Sequence, residues 1–262
     1  MICSFDGADD GEMTAGSEIE FSYFKAPNSN RFLTTSATYN TQLVIPFEFC
    51  KYVCSEPNDD VFTEREIAFI ERWLNQKTLT PKYLQFVQEG YEDIYYRCTI
   101  SLQRKMVGGK CVGFICEATC DAPFGWSEEQ NLTINSTGTE VINLYDISDE
   151  IGEIVPNINI VSNADDQTIT ISNSLTGTTM SIQNCVNGEE IELTDKMTLS
   201  STECVPITPG TGYIGNHSTF FDDFNYQWFT IVNTFNEREN TITVSGECTI
   251  TMSWRVPRKA VV

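Results

Sequence analysis

Short runs of alternating apolar and polar residues, separated by turns, fill the second half of the chain. LTI, INI, ITI, MSI, IEL and MTL are followed by WFTIV, TITV and TITMSW, at a spacing of roughly 8 to 12 residues. Alternation with a period of two places every second side chain on one face of a strand, and turns such as Asn187-Gly188 reverse the chain between strands. The pattern predicts an all-β sandwich or jelly roll without helices.

The first half is also predicted to be mainly β, with a single helix. Thr63 and Glu66 have the spacing of a capping box, which indicates a helix start. Apolar residues then recur at spacings of three and four, at Ile67, Ile70, Trp73 and Leu74. This predicts an amphipathic helix over residues 63–76, with these four side chains on the buried face.

Two strand patterns flank this helix. Leu43, Ile45, Phe47 and Phe49 alternate with polar or exposed positions, and Pro46 indicates a sheet edge or a bulge. In IYYRCTISLQR every second residue from Tyr96 to Leu102 is apolar or Cys, and Gly108-Gly109 then leads into CVGFICEATC. This second pattern predicts a β-hairpin.

The composition of the runs changes after DAPFGWSEEQ, residues 121 to 130. We therefore predict two domains, a β domain with one helix over residues 1–125 and a β-sandwich over residues 126–262. The halves are too different to be an internal repeat.

Charge and cysteine content limit the ligands and the compartment. The chain has 37 Asp and Glu against 16 Lys and Arg, a net charge of −21, so binding to phosphate backbones or anionic lipid is disfavoured. No signal peptide or membrane segment is visible, which predicts a soluble protein made in the cytosol. The ten cysteines are then expected to be reduced, and mostly buried.

No catalytic group is predicted. His217 is the only histidine, and it lies in the polar, loop-like stretch YIGNHSTFFDDF without a nucleophile motif nearby. The glycine pair at Gly108-Gly109 precedes a strand and not a helix, so it does not form a phosphate-binding loop.

Metal and sugar sites are also weighed and set aside. Cys111, Cys116 and Cys120, and the pair Cys50 and Cys54, lack the spacing of zinc knuckles and are better explained as core residues. The paired aspartates do not match a calcium loop. Trp228 and Trp254 could form a sugar platform, but their strand positions favour the core. No metal ion or cofactor is therefore expected.

The chain ends in a short basic segment after its last strand. Cys248, Ile250, Met252 and Trp254 are predicted to form the buried face of that strand, and Arg255, Arg258 and Lys259 follow it. These three cations are either solvated charges at a strand end or assembly contacts with an acidic surface of a neighbouring copy.

Several segments, taken in order, resemble a known family. AFIERWL, LQFVQEGYEDIYYR and the CEATCDAPFGWS segment resemble the N-terminal domain of distal tail proteins of phages with long, non-contractile tails. The ending WFTIVNTFNERENTITVSGECTITMSWRVPRK resembles the end of the galectin-like C-terminal sandwich of the same family. The resemblance covers nearly the whole chain.

The resemblance implies a structural protein of the virion tail tip, made in the bacterial host cytoplasm and without enzymatic activity. Six copies are expected to form a ring that joins the tail tube protein to hub, fibre or receptor-binding proteins. DNA passes through such a ring without being bound. The alternative function is a carbohydrate-binding module that recognises host-surface saccharide through the C-terminal sandwich; a cell-wall hydrolase would need paired carboxylates that no motif indicates.

Overall fold

The computed structural model describes residues 2–5, 17–27, 30–51, 61–75, 81–87, 92–207, 212–234 and 236–259. The chain divides into two compact units. The first comprises residues 1–126 together with the chain from Arg258 onward, and the second comprises Ser127–Pro257. Both are mainly β, as predicted from the sequence.

The first unit is built around one sheet. Its elements are β1 (Ile2–Phe5), β2 (Ile19–Lys25), β3 (Phe32–Tyr39), β4 (Val44–Cys50), α1 (Glu64–Leu74), β5 (Lys82–Gln85), β6 (Tyr95–Val107), β7 (Lys110–Cys120) and β8 (Gly125–Trp126). The sheet order is β1-β4-β7-β6-β8, and β5 also pairs with β6. Arg258, in the last short strand β20 (Pro257–Arg258), extends this sheet beside β8, which is why the end of the chain belongs to the first unit.

The predicted alternation in β4, β6 and β7 is confirmed. Leu43, Ile45 and Phe47 are buried, and Tyr96 and Phe114 are fully buried on the same side of the sheet. The turn between β6 and β7 uses Gly108 and Gly109, with φ of +58° and +79°. Positive φ at both central residues is the hairpin turn that only glycine and a few polar residues adopt without strain.

Pro46 lies in an interior strand at a point where, among the described residues, that strand pairs on one side only. β4 pairs with β7 over its whole length, but its pairing with β1 ends where Phe5 meets Phe47. The proline nitrogen, which cannot donate, therefore needs no partner. The pairing of β4 with β7 is regular through Pro46, and a register shift lies between Ile2 and Ser4 of β1.

The helix α1 begins as predicted. The Thr63 hydroxyl accepts from the Glu66 amide, and the Glu66 carboxylate accepts from the Thr63 amide at 2.8 Å. The hydrogen bond from Thr63 lowers the pKa of Glu66 to about 2, and Lys51 adds to this shift. The capping box predicted from the sequence is therefore present.

The predicted apolar face of the helix is only partly buried. Ile67 is buried and Ile70 and Leu74 are half-buried, whereas Trp73 is 61% exposed. Trp73 lies at the edge of the apolar face, beside the exposed Phe69 one turn earlier, because a spacing of three residues does not complete a helical turn. The prediction for Trp73 was wrong.

The second unit is a galectin-like β-sandwich. Its elements are β9 (Gln130–Tyr145), β10 (Gly152–Ile154), β11 (Asn157–Ser162), β12 (Gln167–Asn173), β13 (Thr179–Cys185), β14 (Glu190–Leu193), β15 (Leu199–Ser201), β16 (Val205–Pro206), β17 (Tyr213–Ile214), α2 (Phe220–Asp223), β18 (Ile231–Asn233) and β19 (Glu239–Trp254). The main sheet has the order β13-β12-β19-β11-β14-β15, and β9 pairs with β19 along its whole length.

The long antiparallel pair of strands β9 and β19 contacts different strands along its two halves. β12 pairs with the stretch of β19 before Gly246, and β11 with the stretch after it. Gly246 is paired with Gly138, and both have positive φ. Side chains from both stretches share one core, which includes Ile242 and Ile250.

The sandwich is not free of helix, contrary to the prediction. The residues FFDD form the single turn α2. Phe220 and Phe224 are both buried in the core of the second unit. Two core aromatics four residues apart favour a helical turn, because they then lie on the same side.

Candidate interaction surfaces

The hairpin β2–β3 of the first unit is exposed on both faces. Five of its large apolar side chains are between 49% and 65% exposed: Phe21, Tyr23, Phe24, Phe32 and Leu33. The two strands pair with each other and, within the described part of the chain, with no other strand. We call these two strands the aromatic hairpin.

Such a hairpin is difficult to maintain alone in water. An isolated two-stranded hairpin is only marginally stable, and contiguous apolar patches of this kind are typical of interaction surfaces. Phe21 and Tyr23 lie 6.5 Å apart, and the Lys25 ammonium lies 5.3 Å from the centre of the Phe32 ring. The aromatic hairpin therefore has the character of a contact surface.

A second apolar surface of the first unit is a groove beside α1. It has a volume of about 150 Å³. Trp73, Leu74, Tyr83, Leu84 and Ile100 line it, with Lys82, Cys98 and Thr99. Trp73 and Tyr83 remain 61% and 48% exposed. We call this surface the Trp73 groove.

The basic residues near the end of the chain make contacts within the protein. The Arg255 guanidinium donates to the carbonyl oxygen of Ser127 at 2.6 Å. The Lys259 ammonium lies 5.9 Å from the centre of the Tyr39 ring. Arg258 also has partners in the structure. The structure thus spreads the three cations over different surroundings, and it buries Val256 between them.

His217 is buried between two carboxylates, and not in an open polar loop as its sequence context indicated. Its Nδ1 lies 2.9 Å from Oε1 of Glu189 and 3.0 Å from Oε2, while its Nε2 lies 3.2 Å from Oδ2 of Asp223. Histidine and Glu189 are 2% and 0% exposed. We call this arrangement the His217 clasp.

The clasp places a carboxyl group within hydrogen-bond distance of each ring nitrogen of His217. Burial raises the pKa of Asp223, but hydrogen bonds from Thr219, His217 and Asn184 outweigh it and hold that pKa below its usual value. The Glu189 carboxylate also accepts from Ser201 and from the Val186 amide.

The clasp joins the segment before β14 to the segment that contains α2. Glu189 precedes β14, His217 precedes α2, and Asp223 ends α2. The Ser201 hydroxyl points to Glu189 and not to the imidazole. The His217 clasp is therefore a structural pin of the second unit.

Seven described cysteines are free thiols and are buried: Cys98, Cys111, Cys116, Cys120, Cys185, Cys204 and Cys248. Burial raises the pKa of Cys116 to about 12 and that of Cys98 to about 11, which keeps both protonated and unreactive. Cys50 and Cys54 were also considered as zinc ligands because of their spacing in the sequence. Cys54 lies outside the described residues. In the described part of the chain, no group of three His, Cys, Asp or Glu side chains could hold a metal ion.

The two tryptophans weighed as a sugar platform belong to the core. Trp254 is 8% exposed, and Trp228 packs partly buried against the same core. The buried face of the last strand, from Cys248 to Met252, is also confirmed. Among the described residues no helix combines the length and apolarity needed to cross a membrane.

Together these features define a class of protein, one with a single-helix β domain, a galectin-like sandwich and apolar contact surfaces. Comparison with known families places the chain more closely. Residues 1–122 match the family described as phage tail protein N-terminal domain, and residues 124–254 match the phage tail C-terminal domain. The chain therefore belongs to a family of phage tail proteins.

The fold agrees with a solved tail protein. The Dit protein of phage SPP1, described as a paradigm of the hub adsorption apparatus in phages infecting Gram-positive bacteria, superposes with a TM-score of 0.58 at 11% identity. The match covers 97% of this chain and 93% of that one. The sequence resemblance to distal tail proteins is thereby confirmed. A comparison with curated protein sequences finds no significant match.

Proposed function

We propose that this chain is a non-catalytic structural protein of the phage tail tip, and that six copies form a ring through the first unit. The aromatic hairpin carries this proposal. A ring needs two different surfaces on each copy, so that one surface contacts the other on the next copy. The aromatic hairpin and the Trp73 groove are two such apolar surfaces on the same unit.

The charge of the chain opposes ring closure and sets its salt dependence. Six copies together carry about −126, since each carries −21. Like charges repel less as salt screens them. Apolar contact between the hairpin and the groove is therefore expected to supply the attraction, and added salt to strengthen the ring.

The ring would connect the tail tube protein to hub, fibre or receptor-binding proteins, at the tail tip of virions assembled in the bacterial host cytoplasm. DNA would pass through its channel. The acidic composition supports passage without binding, because phosphate is repelled by a negative surface.

The hairpin can be tested by removing two of its exposed aromatic rings. We expect the wild-type chain to be a hexamer whose fraction increases with salt, and the Phe21→Ser, Phe32→Ser variant to remain a monomer. Native mass spectrometry across a salt series measures both. Because both rings are about half exposed or more, their removal leaves the core of the first unit intact.

The matched control is Tyr145→Ser, which removes an aromatic ring that is 63% exposed on the second unit. This variant is expected to form the hexamer normally. A wild-type chain that is monomeric at every salt concentration, or a hairpin variant that still forms hexamers, would contradict the proposed ring contact.

The basic segment is proposed as a weaker assembly contact. Arg258→Gln combined with Lys259→Gln should reduce the hexamer fraction more at low salt than at high salt, because exposed charge pairs are screened. Arg255 is left unchanged, since it holds Ser127. Lys110→Gln combined with Lys196→Gln changes the net charge equally at exposed sites and serves as the control. Equal losses in both variants would leave the basic segment with no specific role.

A further inference from the structure

A second group of aromatic side chains lies on the segment that the His217 clasp anchors. The rings of Tyr213 and Phe221 are 4.9 Å apart, and the Tyr226 hydroxyl donates to the carbonyl oxygen of Phe221 at 3.0 Å. Tyr213 and Tyr226 are 44% and 61% exposed, and Phe221 is half-buried. We call these three residues the aromatic platform.

The register of the β16–β17 hairpin separates this platform from nearby aliphatic residues. Tyr213 is paired with Pro206, and Ile214 with Val205. Paired residues share a face of a hairpin, and successive residues alternate between faces. Tyr213 therefore faces one side with Pro206, and the aliphatic pair faces the other. The surface around Phe221 is therefore aromatic, and a ligand ring can stack on it.

Carboxylate residues accompany the platform, and no cationic residue lies in its stretch of the chain. The chain contains no Lys or Arg between residues 197 and 237. The carboxylate residue Asp222, next to Phe221, is exposed, and Glu203 is held beside the same segment through Asn216. A ligand with hydroxyl or ammonium donors matches these groups, whereas an anionic ligand would be repelled.

The platform is also held rigidly. Tyr226 has a φ of +56°, which is unfavourable for a residue with a bulky side chain. Asn225 supports it, because its Oδ1 accepts from the amides of Gln227 and Ser181 at 3.1 Å. A strained residue kept in place by its surroundings is often part of a functional site. Pre-ordering also lowers the entropic cost of binding.

From these observations we propose that the aromatic platform binds a neutral or amino pyranose, which stacks on Tyr213 and Tyr226 while Asp222 accepts from a sugar hydroxyl. Stacking of this type is open to rings with apolar C–H faces. A single pyranose ring makes few contacts, so its dissociation constant should be roughly millimolar. The inference concerns the second unit only and stands whether or not the first unit forms rings.

Saturation-transfer difference NMR on the full chain tests the proposal directly. The probes are methyl β-glucopyranoside, N-acetylglucosamine, glucosamine and, as the anionic comparison, methyl glucuronide. We expect magnetisation transfer to the ring protons of at least one of the first three sugars and much weaker transfer to the glucuronide. Tyr213→Ser and Tyr226→Asn should each weaken binding about threefold to tenfold.

The choice of variants keeps a folding defect from imitating a binding defect. Asparagine tolerates positive φ, so Tyr226→Asn preserves the backbone while removing the ring. Tyr145→Ser removes an equally exposed ring elsewhere on the second unit and should bind sugar normally. Absence of transfer from every neutral and amino sugar at tens of millimolar, or transfer that survives both platform substitutions, would overturn the proposal.

Discussion

Replacing His217 with alanine is expected to lower the free energy of unfolding by about 3 kcal/mol, since removing one partner of a buried hydrogen-bonded pair leaves the other without its contacts. Glu189 is fully buried and would lose both contacts to the imidazole. Urea denaturation at neutral pH, followed by fluorescence and by hydrogen exchange of the segment containing α2, measures the loss.

A double-mutant cycle provides the control. Glu189→Gln removes the buried charge, so His217→Ala should cost less in that background than in the wild type. Additive losses, or a loss below about 1 kcal/mol for His217→Ala alone, would show that the clasp behaves like an exposed pair.

The contribution of Asp223 to the stability of the folded chain depends on pH in a defined direction. The pKa of Asp223 is held below its usual value in the folded chain. Its contribution to stability is therefore present above the unfolded pKa of about 3.9 and is lost as pH falls through the lower, folded value. Asp223→Asn should therefore lower the stability at neutral pH and flatten the acid limb of the stability profile, which urea unfolding across a pH series measures.

Gly215→Ala is the second substitution with a large expected effect. Gly215 has a φ of +131°, and a Cβ there would lie 2.0 Å from the carbonyl oxygen of Glu203. That oxygen accepts from the His217 amide at 3.1 Å, so moving it away would weaken a hydrogen bond to the segment that carries His217. We expect a loss of roughly 3 kcal/mol, from strain and from the displaced segment together. Thermal and urea unfolding measure it.

Gly212→Ala is the matched control for this substitution. Gly212 also has a positive φ, of +111°, but a Cβ there would have no heavy atom of the described residues within 4 Å. Gly212→Ala should lower the free energy of unfolding only by the strain of placing alanine at a positive φ. The difference between the two variants therefore measures the steric clash at Gly215. Equal losses would mean that the close approach to Glu203 relaxes easily. Gly215→Ala should also disturb Tyr213 and weaken sugar binding to the platform.

The parts of the structure that were predictable depend on local periodicity. The capping box of Thr63, the turn at Gly108 and the alternation in β19 all follow from residues close in sequence, and all three are present. Trp73 was mispredicted because a helical period identifies a face but not how far the neighbouring sheet covers it.

The candidate sites were less predictable, because they depend on what lies beside a residue in space. The alternation in IEFSYFK is that of a strand with one buried face, yet Phe21 and Tyr23 are exposed. His217 lies among polar residues in the sequence, but its partner Glu189 comes from 28 residues away. The short helix α2 also depends on tertiary contacts of its two phenylalanines.

The sequence by itself determined that the chain is mainly β, that a helix begins at Thr63 and that the last strand buries the face ending in Trp254. Several of its segments, in their order along the chain, also identified it as a phage tail protein. Only the tertiary structure decided which apolar side chains remain exposed and which polar side chains are buried in pairs. The reason is physical, since periodicity is a property of one segment, whereas burial and hydrogen bonding depend on segments that meet after folding.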